Sequence, residues 1–541
     1  MLFRSKSYLF ILDGRGESCN GRQIKRNTCE NTCIKQDKNV TWLDLSKDYD
    51  LVGQIAIAET ATNTPSWLEF LSAFSASTIS LDDNTSNRAV MFVYVEGRIM
   101  ALTFGYGKNF LVEEYVESDF GFWAAINLLN PQKIRSIYAA TIEDMVIHSQ
   151  KQASYATEQN EFSINTYQDI MTSIAGEALD ENKAVRVSGR DSLLVTVEMD
   201  PSELYEKLKY YLDAYTSNEY KEYFSWIENI RQIRDKKIID ELEKCLIKKI
   251  ESHDLNNIYI SPPDIIDWNE VNRFFIRGIR LKKGNPDNLE LEQLLELYWE
   301  EINNNKEILE KLKRDKLEVI DLEDEYRSLG SMYNALVAQV QYEDKLYILS
   351  GKKWYLIEEQ FYDRVVAEMQ RIPESNIDFP ICNAGETEGE YNKRISEKPE
   401  FCLMDKRLVG VLDGPKKIEA CDIFTNKKQM IHVKKKYDSA NLSHLFAQGK
   451  VSAECFMSDE TYRKSVYDEV KKYLGDNIFD YRQKPSQNEF EIVYAIISKK
   501  VEPLEKALPF FSMVNLMMSV QELDRMHMRY SVKIIQKEEK L

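Results

Sequence analysis

A carboxylate, a histidine and a lysine occur together in residues 418–450, the stretch of the chain with the most informative chemistry. Asp422 ends one apolar run, and His432 and Lys434 lie in the next apolar run, ten and twelve residues later. Side chains alternate along a strand, so His432 and Lys434 share one face of the second strand. If residues 426–428 turn the chain, the strands run antiparallel and Asp422 approaches that polar pair. The pattern fits a metal-dependent site that cleaves phosphodiesters, although an Asp at a strand end and a Lys on a solvated strand face are also ordinary in a purely structural strand pair.

The segment after these strands has the pattern of an amphipathic helix. His444 and Gln448 are four residues apart and therefore lie on one face, whereas Leu442, Leu445 and Phe446 form the buried face. We predict that His444 and Gln448 position the site or a phosphate group.

Charge is distributed unevenly along the chain. The formal net charge is −18, which argues against a general nucleic-acid coat protein. Counting Lys and Arg against Asp and Glu gives about −20 for residues 1–380, about +2 for 381–541 and about +6 for 391–450. Six lysines make the local basic patch: Lys427, Lys428, Lys434, Lys435, Lys436 and Lys450. The patch predicts contact with phosphates, although an ordinary solvated face has the same composition.

Composition bounds the class of protein. A chain of 541 residues, 43% hydrophobic and 30% charged, is expected to fold into two to four domains and to be soluble. No apolar run approaches the roughly 20 residues of a membrane span, so we expect no membrane association. The eight scattered cysteines fit a reducing cytoplasm. Cys19, Cys29 and Cys33 are spaced closely enough for three ligands of a zinc knuckle. No histidine occurs before His148 to serve as the fourth ligand.

The pattern of elements predicts a multidomain α/β (α+β) protein. Residues 1–200 form a mixed α/β domain with a hairpin around Glu96-Gly97. Residues 201–380 form a helical region followed by a small β-meander. The charge-rich residues 289–326 fit either a projecting helical arm or the seam of a homo-oligomer. Residues 381–541 form the last domain.

The last domain contains, in order, a helix, three strands, a helix and a strand, and so resembles the restriction-endonuclease-like PD-(D/E)xK nucleases. The resemblance implies a metal site for Mg²⁺ or Mn²⁺ with Asp422 on the second strand and Glu390 on the first helix as ligands. It implies that Lys434 orients the attacking water and that Gln448 assists. Glu419 is a weaker ligand candidate, since an offset of three residues from Asp422 points it to the opposite strand face, and Asp405 on the preceding strand is a spare carboxylate.

His432 stands where the PD-(D/E)xK motif has Asp or Glu. An imidazole suits Mn²⁺ or Zn²⁺ better than Mg²⁺, or it serves as a general base. Alternatively, the fold has lost its chemistry and keeps only binding.

The whole chain resembles a sporadically distributed bacterial family of unknown function that is carried on mobile and defence-associated gene clusters. The strings that carry the resemblance are ALTFGYGKNFL, DFGFWAAINLLNPQKIRSI, YFSWIENI, WYLIEEQF, EGEYN, IEACDI, IHVKKK, SHLFAQGKVSA and LPFFSMVNL.

Two functions stay open at this point. The first is a metal-dependent nuclease in antiviral defence, with DNA favoured over RNA and with partner proteins from the same gene cluster. The second is a catalytically inactive nuclease fold that binds nucleic acid or protein. A kinase or ATPase ranks last, because the chain has no phosphate-binding loop motif.

Overall fold

The structure is a computed structural model, and it describes most of the chain. The described residues are 8–12, 33–35, 40–59, 87–112, 115–142, 146–252, 254, 257–266, 271–278, 298, 307–321, 326–405, 408–409, 418–435 and 439–538. They divide into two compact units, residues 1–140 with 149–226 and residues 141–148 with 227–541. Among these residues, no helix has both the length and the apolar character that crossing a bilayer requires.

A ten-stranded sheet dominates the first part of the chain. Its order is β2-β3-β4-β5-β1-β10-β9-β8-β6-β7. The strands are β1 Tyr8–Leu12, β2 Thr41–Asp44, β3 Gly53–Glu59, β4 Asn87–Val95, β5 Arg98–Gly105, β6 Leu129–Ile142, β7 Val146–Thr157, β8 Asp169–Ala178, β9 Arg186–Gly189 and β10 Leu193–Thr196. Among the described residues of this part, two α-helices accompany the strands, α1 Phe120–Leu128 and α2 Leu204–Thr216. The predicted hairpin is confirmed: β4 and β5 pair antiparallel, and Glu96 and Gly97 both have positive φ.

Two smaller sheets follow in the second unit. One has the order β11-β18-β17-β16-β12 and the other β13-β14-β15. Their strands are β11 Ile230–Ile233, β12 Ile258–Ile260, β13 Val271–Arg277, β14 Lys316–Asp321, β15 Tyr326–Ser331, β16 Leu336–Tyr342, β17 Lys345–Ser350 and β18 Lys353–Ile357. The helices between them are α3 Lys236–Glu251, α4 Ile308–Arg314 and α5 Met332–Ala335.

The predicted meander is confirmed as β16, β17 and β18, but the prediction of a largely helical region before it is wrong in part. Lys316–Asp321 forms the middle strand of a sheet rather than the end of a charged helix. Its Leu317 and Val319 are buried in the apolar core of the smaller sheets. Most of the predicted arm or oligomer seam, 289–326, lies outside the described residues.

The last part of the chain is built on a five-stranded mixed sheet of order β19-β22-β23-β24-β25. The strands are β19 Phe401–Leu403, β22 Ile423–Thr425, β23 Gln429–Lys435, β24 Glu491–Ser498 and β25 Arg529–Gln536, and a separate pair is formed by β20 Leu408–Val409 and β21 Ile418–Glu419. The helices are α6 Glu359–Arg371, α7 Glu388–Ile395, α8 Ser439–Ser458, α9 Glu460–Leu474, α10 Leu504–Ala507 and α11 Phe510–Arg525. Strand β22 pairs antiparallel with β19 and β23, whereas β23, β24 and β25 are parallel.

The β22–β23 hairpin forms where the sequence predicts it. The Thr425 hydroxyl accepts hydrogen bonds from the Lys427 and Gln429 N–H groups at 3.2 Å each, and Lys428 takes the left-handed conformation with φ 62°. Strand alternation then sends Ile431 and Val433 into a core with Tyr391 and other apolar side chains. The opposite face of β23 and β24 is covered by α8.

Candidate metal centre

Asp422 lies between β21 and β22, where the backbone of three segments meets. Its N–H donates to the Ile431 carbonyl at 2.9 Å, and its own carbonyl accepts from the N–H groups of Met404 and Asp405 at 2.7 and 2.9 Å. Its side-chain Oδ2 accepts from the Val433 N–H at 2.7 Å. These hydrogen bonds therefore fix the carboxylate just before the first residue of β22 and close to the carboxyl end of β23.

Three carboxylates converge at this point. One oxygen each of Asp405, Glu419 and Asp422 lies within 4.8 Å of the others, and all three side chains are partly buried. The argument from sequence against Glu419 is wrong, because β21 ends at Glu419 and residues 420–422 are not in a strand. Strand alternation therefore does not relate Glu419 to Asp422.

Burial raises the pKa of Asp422 to about 8. The negative charges of Glu419, Asp405 and Glu388 add to this rise, while the hydrogen bond from Val433 opposes it. Burial and the neighbouring carboxylates therefore both disfavour the negatively charged form of Asp422.

Glu388, in the first turn of α7, connects this helix to the end of β23. Its Oε1 accepts from Lys434 Nζ at 3.2 Å, and its Oε2 accepts from the Lys435 N–H at 3.1 Å. Glu388 and Lys434 are 29% and 25% exposed, so a substrate can still reach the lysine.

Glu390, the helix residue implied by the nuclease resemblance, is engaged with its own helix. Its Oε2 accepts from the Thr387 N–H at 2.7 Å and from the Thr387 hydroxyl at 2.8 Å, which completes a capping box. These hydrogen bonds hold the pKa of Glu390 below its usual range. The structure places Glu388, not Glu390, beside Lys434.

Asn392 lies one helical turn after Glu388 and reaches the carboxylates. It is 1% exposed, and its Nδ2 donates to Asp422 Oδ1 at 3.3 Å. Gly389, on the same turn, lets the Asp405 carboxylate approach the helix, since a Cβ there would lie 3.3 Å from Asp405 Oδ2.

His432 is part of the packed core under α8. It is 2% exposed, its ring centroid lies 6.3 Å from that of Tyr494, and its Nε2 has no hydrogen-bond partner within the described residues. Burial lowers its pKa to about 3, so the ring is neutral at physiological pH. This environment is that of a packing residue and not of a hydrated metal ligand or general base.

The α8 side chains with predicted roles differ in exposure. His444 is exposed, and Gln448 and Lys450 are partly exposed. The helix passes close to the sheet at Gly449, where a Cβ would lie 2.5 Å from a ring carbon of Tyr494.

The lysines of the predicted basic patch lie at opposite ends of strand β23 and so do not form one continuous patch. Lys427 and Lys428 lie at the hairpin turn, at the opposite end of β23 from Val433. Lys428 pairs with Glu489 at 2.6 Å beside a cavity of about 380 Å³. Lys435 is 4% exposed and donates to the Glu386 carbonyl. Lys436 lies outside the described residues.

Two lysines that the sequence argument did not single out lie at the same sheet edge as the carboxylates. Lys499 and Lys500 follow β24 directly and are exposed, and their side chains make no hydrogen bond or ion pair within the described residues. Because β23 and β24 are parallel, both strands end at this edge. The signal in the sequence was the Lys-Lys pair at the end of a buried apolar strand.

The comparisons with known proteins give one match. The model of DUF6119, a family of unknown function, matches residues 20–536. No curated protein and no solved structure matches the chain.

Proposed function

We propose that this chain, which belongs to the DUF6119 family of unknown function, is a divalent-metal-dependent nuclease that acts on phosphodiesters. The observation that carries the proposal is the convergence of Asp405, Glu419 and Asp422 within 4.8 Å, at the strand end that also presents Lys434. Carboxylates next to a lysine fit the hydrolysis of a phosphodiester better than they fit the binding of a neutral ligand.

The donor set is suited to a hard cation. All three converging groups are carboxylates, the ligands that Mg²⁺ and Mn²⁺ favour, and the negative charges of Glu419 and Asp405 add to the rise that burial causes in the pKa of Asp422. Asp405, Glu419 and Asp422 would hold the cation. When bound, it supplies positive charge that stabilises the negative charge developing on the scissile phosphate.

The protein's own groups have separate tasks in this proposal. The Val433 N–H fixes the Asp422 carboxylate, and the Glu388 carboxylate fixes the Lys434 ammonium from the side of α7. Lys434 then interacts with a phosphate oxygen and with the attacking water, where its positive charge favours the transition state. The motif normally has a carboxylate at the position of His432. Here the carboxylate of Glu388 supplies that negative charge next to Lys434.

The order of elements supports a restriction-endonuclease-like core. Helix α7, strands β19, β22 and β23, helix α8 and strand β24 occur in the order of that superfamily's core, with the β20–β21 pair inserted before β22 and helix α9 inserted before β24. Asp422 lies before the second core strand and Lys434 in the third. A role in defence rests on the resemblance alone and is part of the proposal.

The exposed lysines after β24 indicate where the nucleic acid binds. Val433 pairs with Ala495, so Lys499 lies one strand over and four residues further on, on the order of 14 Å from Val433 for extended chain. We propose that Lys499 and Lys500 contact backbone phosphates next to the scissile one.

The test is cleavage of plasmid DNA and of total RNA by the purified full chain in Mg²⁺, Mn²⁺ or EDTA, beside the Asp422→Asn variant. The proposal expects cleavage of DNA that requires the cation and falls about 10²-fold or more in the variant. Cation binding without cleavage of either substrate would favour the inactive binding module. This module is the second candidate because His432, at the motif position of a catalytic carboxylate, is packed in the core. If the chain neither binds the cation nor cleaves either substrate, the metal-site proposal is overturned.

A further inference from the structure

Asn392 carries an unused oxygen next to the carboxylate cluster. The side chain is 1% exposed, and its Nδ2 lies 3.3 Å from Asp422 Oδ1. Its Oδ1 has no hydrogen-bond partner within the described part of the chain. Buried side-chain oxygens are normally hydrogen-bonded, so this one calls for an explanation.

We propose that Asn392 is a fourth oxygen ligand of the divalent cation, beside Asp405, Glu419 and Asp422. The inference rests on the proposed nuclease function and adds a ligand from the helix to it. Side-chain amide oxygens are ordinary ligands of hard cations.

Rotation about the Cβ–Cγ bond makes one side chain fit both states of the site. Without a cation, the amide nitrogen is the better group to face a carboxylate, because it donates a hydrogen bond to Asp422. With a cation in place, the carboxylates are compensated, and a half-turn of the amide directs Oδ1 to the centre. The Asn392 oxygen, which has no partner among the residues that the structure describes, then gains one.

The position of Asn392 on α7 agrees with this role. Asn392 is four residues after Glu388, so both lie on the helix face that meets the end of β23. The next residue, Lys393, is exposed and provides a matched control on the same helix.

The experiment is calorimetric titration of Mn²⁺ into the full chain, as wild type, Asn392→Leu, Asn392→Asp and Lys393→Ala. We expect Asn392→Leu to weaken binding about tenfold or more. Asn392→Asp keeps an oxygen at the position and should bind at least as tightly as wild type, and Lys393→Ala should not differ from wild type. Thermal unfolding in EDTA establishes that each variant is folded, and the Mn²⁺-induced rise in Tm should be larger for Asn392→Asp than for wild type.

The outcomes distinguish a failure of the Asn392 ligand role from a failure of the proposed nuclease function. If the wild type binds Mn²⁺ tightly and folded Asn392→Leu binds it with the same affinity, the ligand role of Asn392 is overturned. The nuclease proposal is unaffected by that result. A tenfold loss in Asn392→Asp would overturn it too, because only the amide nitrogen would then matter, and this variant decides the question if Asn392→Leu does not fold. Absence of Mn²⁺ binding by wild type would overturn the metal site and the inference together.

Discussion

Glu388 binds Lys434 through one carboxylate oxygen and the backbone of the following residue through the other, so one side chain fixes both the lysine and the strand end that presents it. The two residues come from α7 and β23, which are separated in the sequence by the strands β19, β20, β21 and β22 and the hairpin turn. The proposed catalytic lysine therefore depends on a helix contact for its orientation.

The first prediction concerns this contact. Glu388→Gln keeps a hydrogen-bond acceptor but removes the charge that faces Lys434, so we expect cleavage to fall about 10- to 100-fold. The rate of plasmid cleavage under single-turnover conditions measures this. The matched control is Glu390→Gln, which retains a capping box because Gln also serves at that position. We expect this control to cleave at the wild-type rate, and the reverse ranking would restore the role that the nuclease resemblance implies for Glu390.

A second prediction follows from the pKa of Asp422. A carboxyl whose pKa is about 8 in the folded protein and near 3.8 when unfolded contributes stability that is full below pH 4 and is lost as the pH rises to about 8. In EDTA, the wild type should therefore lose up to about 1.4 kcal/mol of unfolding free energy per pH unit in this range, relative to Asp422→Asn. The variant fits the site, because Asn392 can turn its amide oxygen towards the new amide. Thermal unfolding of both proteins at pH 6 and pH 8.5 measures the difference, and a constant gap in Tm would contradict the raised pKa.

The third prediction separates packing from catalysis at His432. The His432 Nε2 has no hydrogen-bond partner among the described residues, so replacing the ring by an apolar side chain removes a desolvation cost. His432→Leu should therefore retain cleavage within a few-fold and unfold at an equal or higher temperature. A general base would instead lose about 10²–10⁴ in rate. Cleavage rates of the folded variant decide between the two roles.

The fourth prediction concerns the lysines after β24. The double variant Lys499→Ala/Lys500→Ala should weaken binding of an uncleaved DNA duplex in EDTA and reduce the slope of log K against log salt by about 0.9 per lost phosphate contact. Lys427→Ala, an exposed lysine at the far end of β23, is the control and should leave the slope unchanged. A change in slope for Lys427→Ala that is half as large as the change for the double variant would show that only overall charge matters.

A fifth prediction tests the seating of α8. Adding a methyl group in Gly449→Ala brings a carbon to 2.5 Å from the Tyr494 ring, which is fully buried and hydrogen-bonded to the Phe446 carbonyl at 3.1 Å. The ring has no room to yield, so we expect a loss of about 1–3 kcal/mol in the free energy of unfolding. Denaturant unfolding measures it, with Ala447→Gly as the control on the exposed face of the same helix. That control should lose only about 1 kcal/mol through helix propensity.

Elements of the last domain were predictable from sequence because their signals are local. Alternation marked β23, a continuous apolar run marked β24, and residues 426–428 marked the turn between β22 and β23. The strand Lys316–Asp321 was missed because its charged flanks also fit a helix, and a contact with β13 and β15 decided the outcome.

The composition of the carboxylate cluster was not predictable in the same way. Asp405 and Glu419 meet Asp422 through backbone hydrogen bonds and a break in the strand, neither of which leaves a periodic pattern. One signal was present but unused. Thr387 three residues before Glu390 is a capping box, which commits Glu390 to its helix and leaves Glu388 for the site.

The measurement that tests the central claim most directly compares two lysines of one hairpin, Lys434→Ala and Lys427→Ala, in single-turnover DNA cleavage with Mn²⁺, alongside Mn²⁺ titration of each variant. We expect Lys434→Ala to lose about 10²–10³ in cleavage rate with its Mn²⁺ affinity retained, and Lys427→Ala to match the wild type. Cleavage by Lys434→Ala at the wild-type rate, or cleavage that persists in EDTA, would contradict the assignment of this site as a metal-dependent nuclease centre.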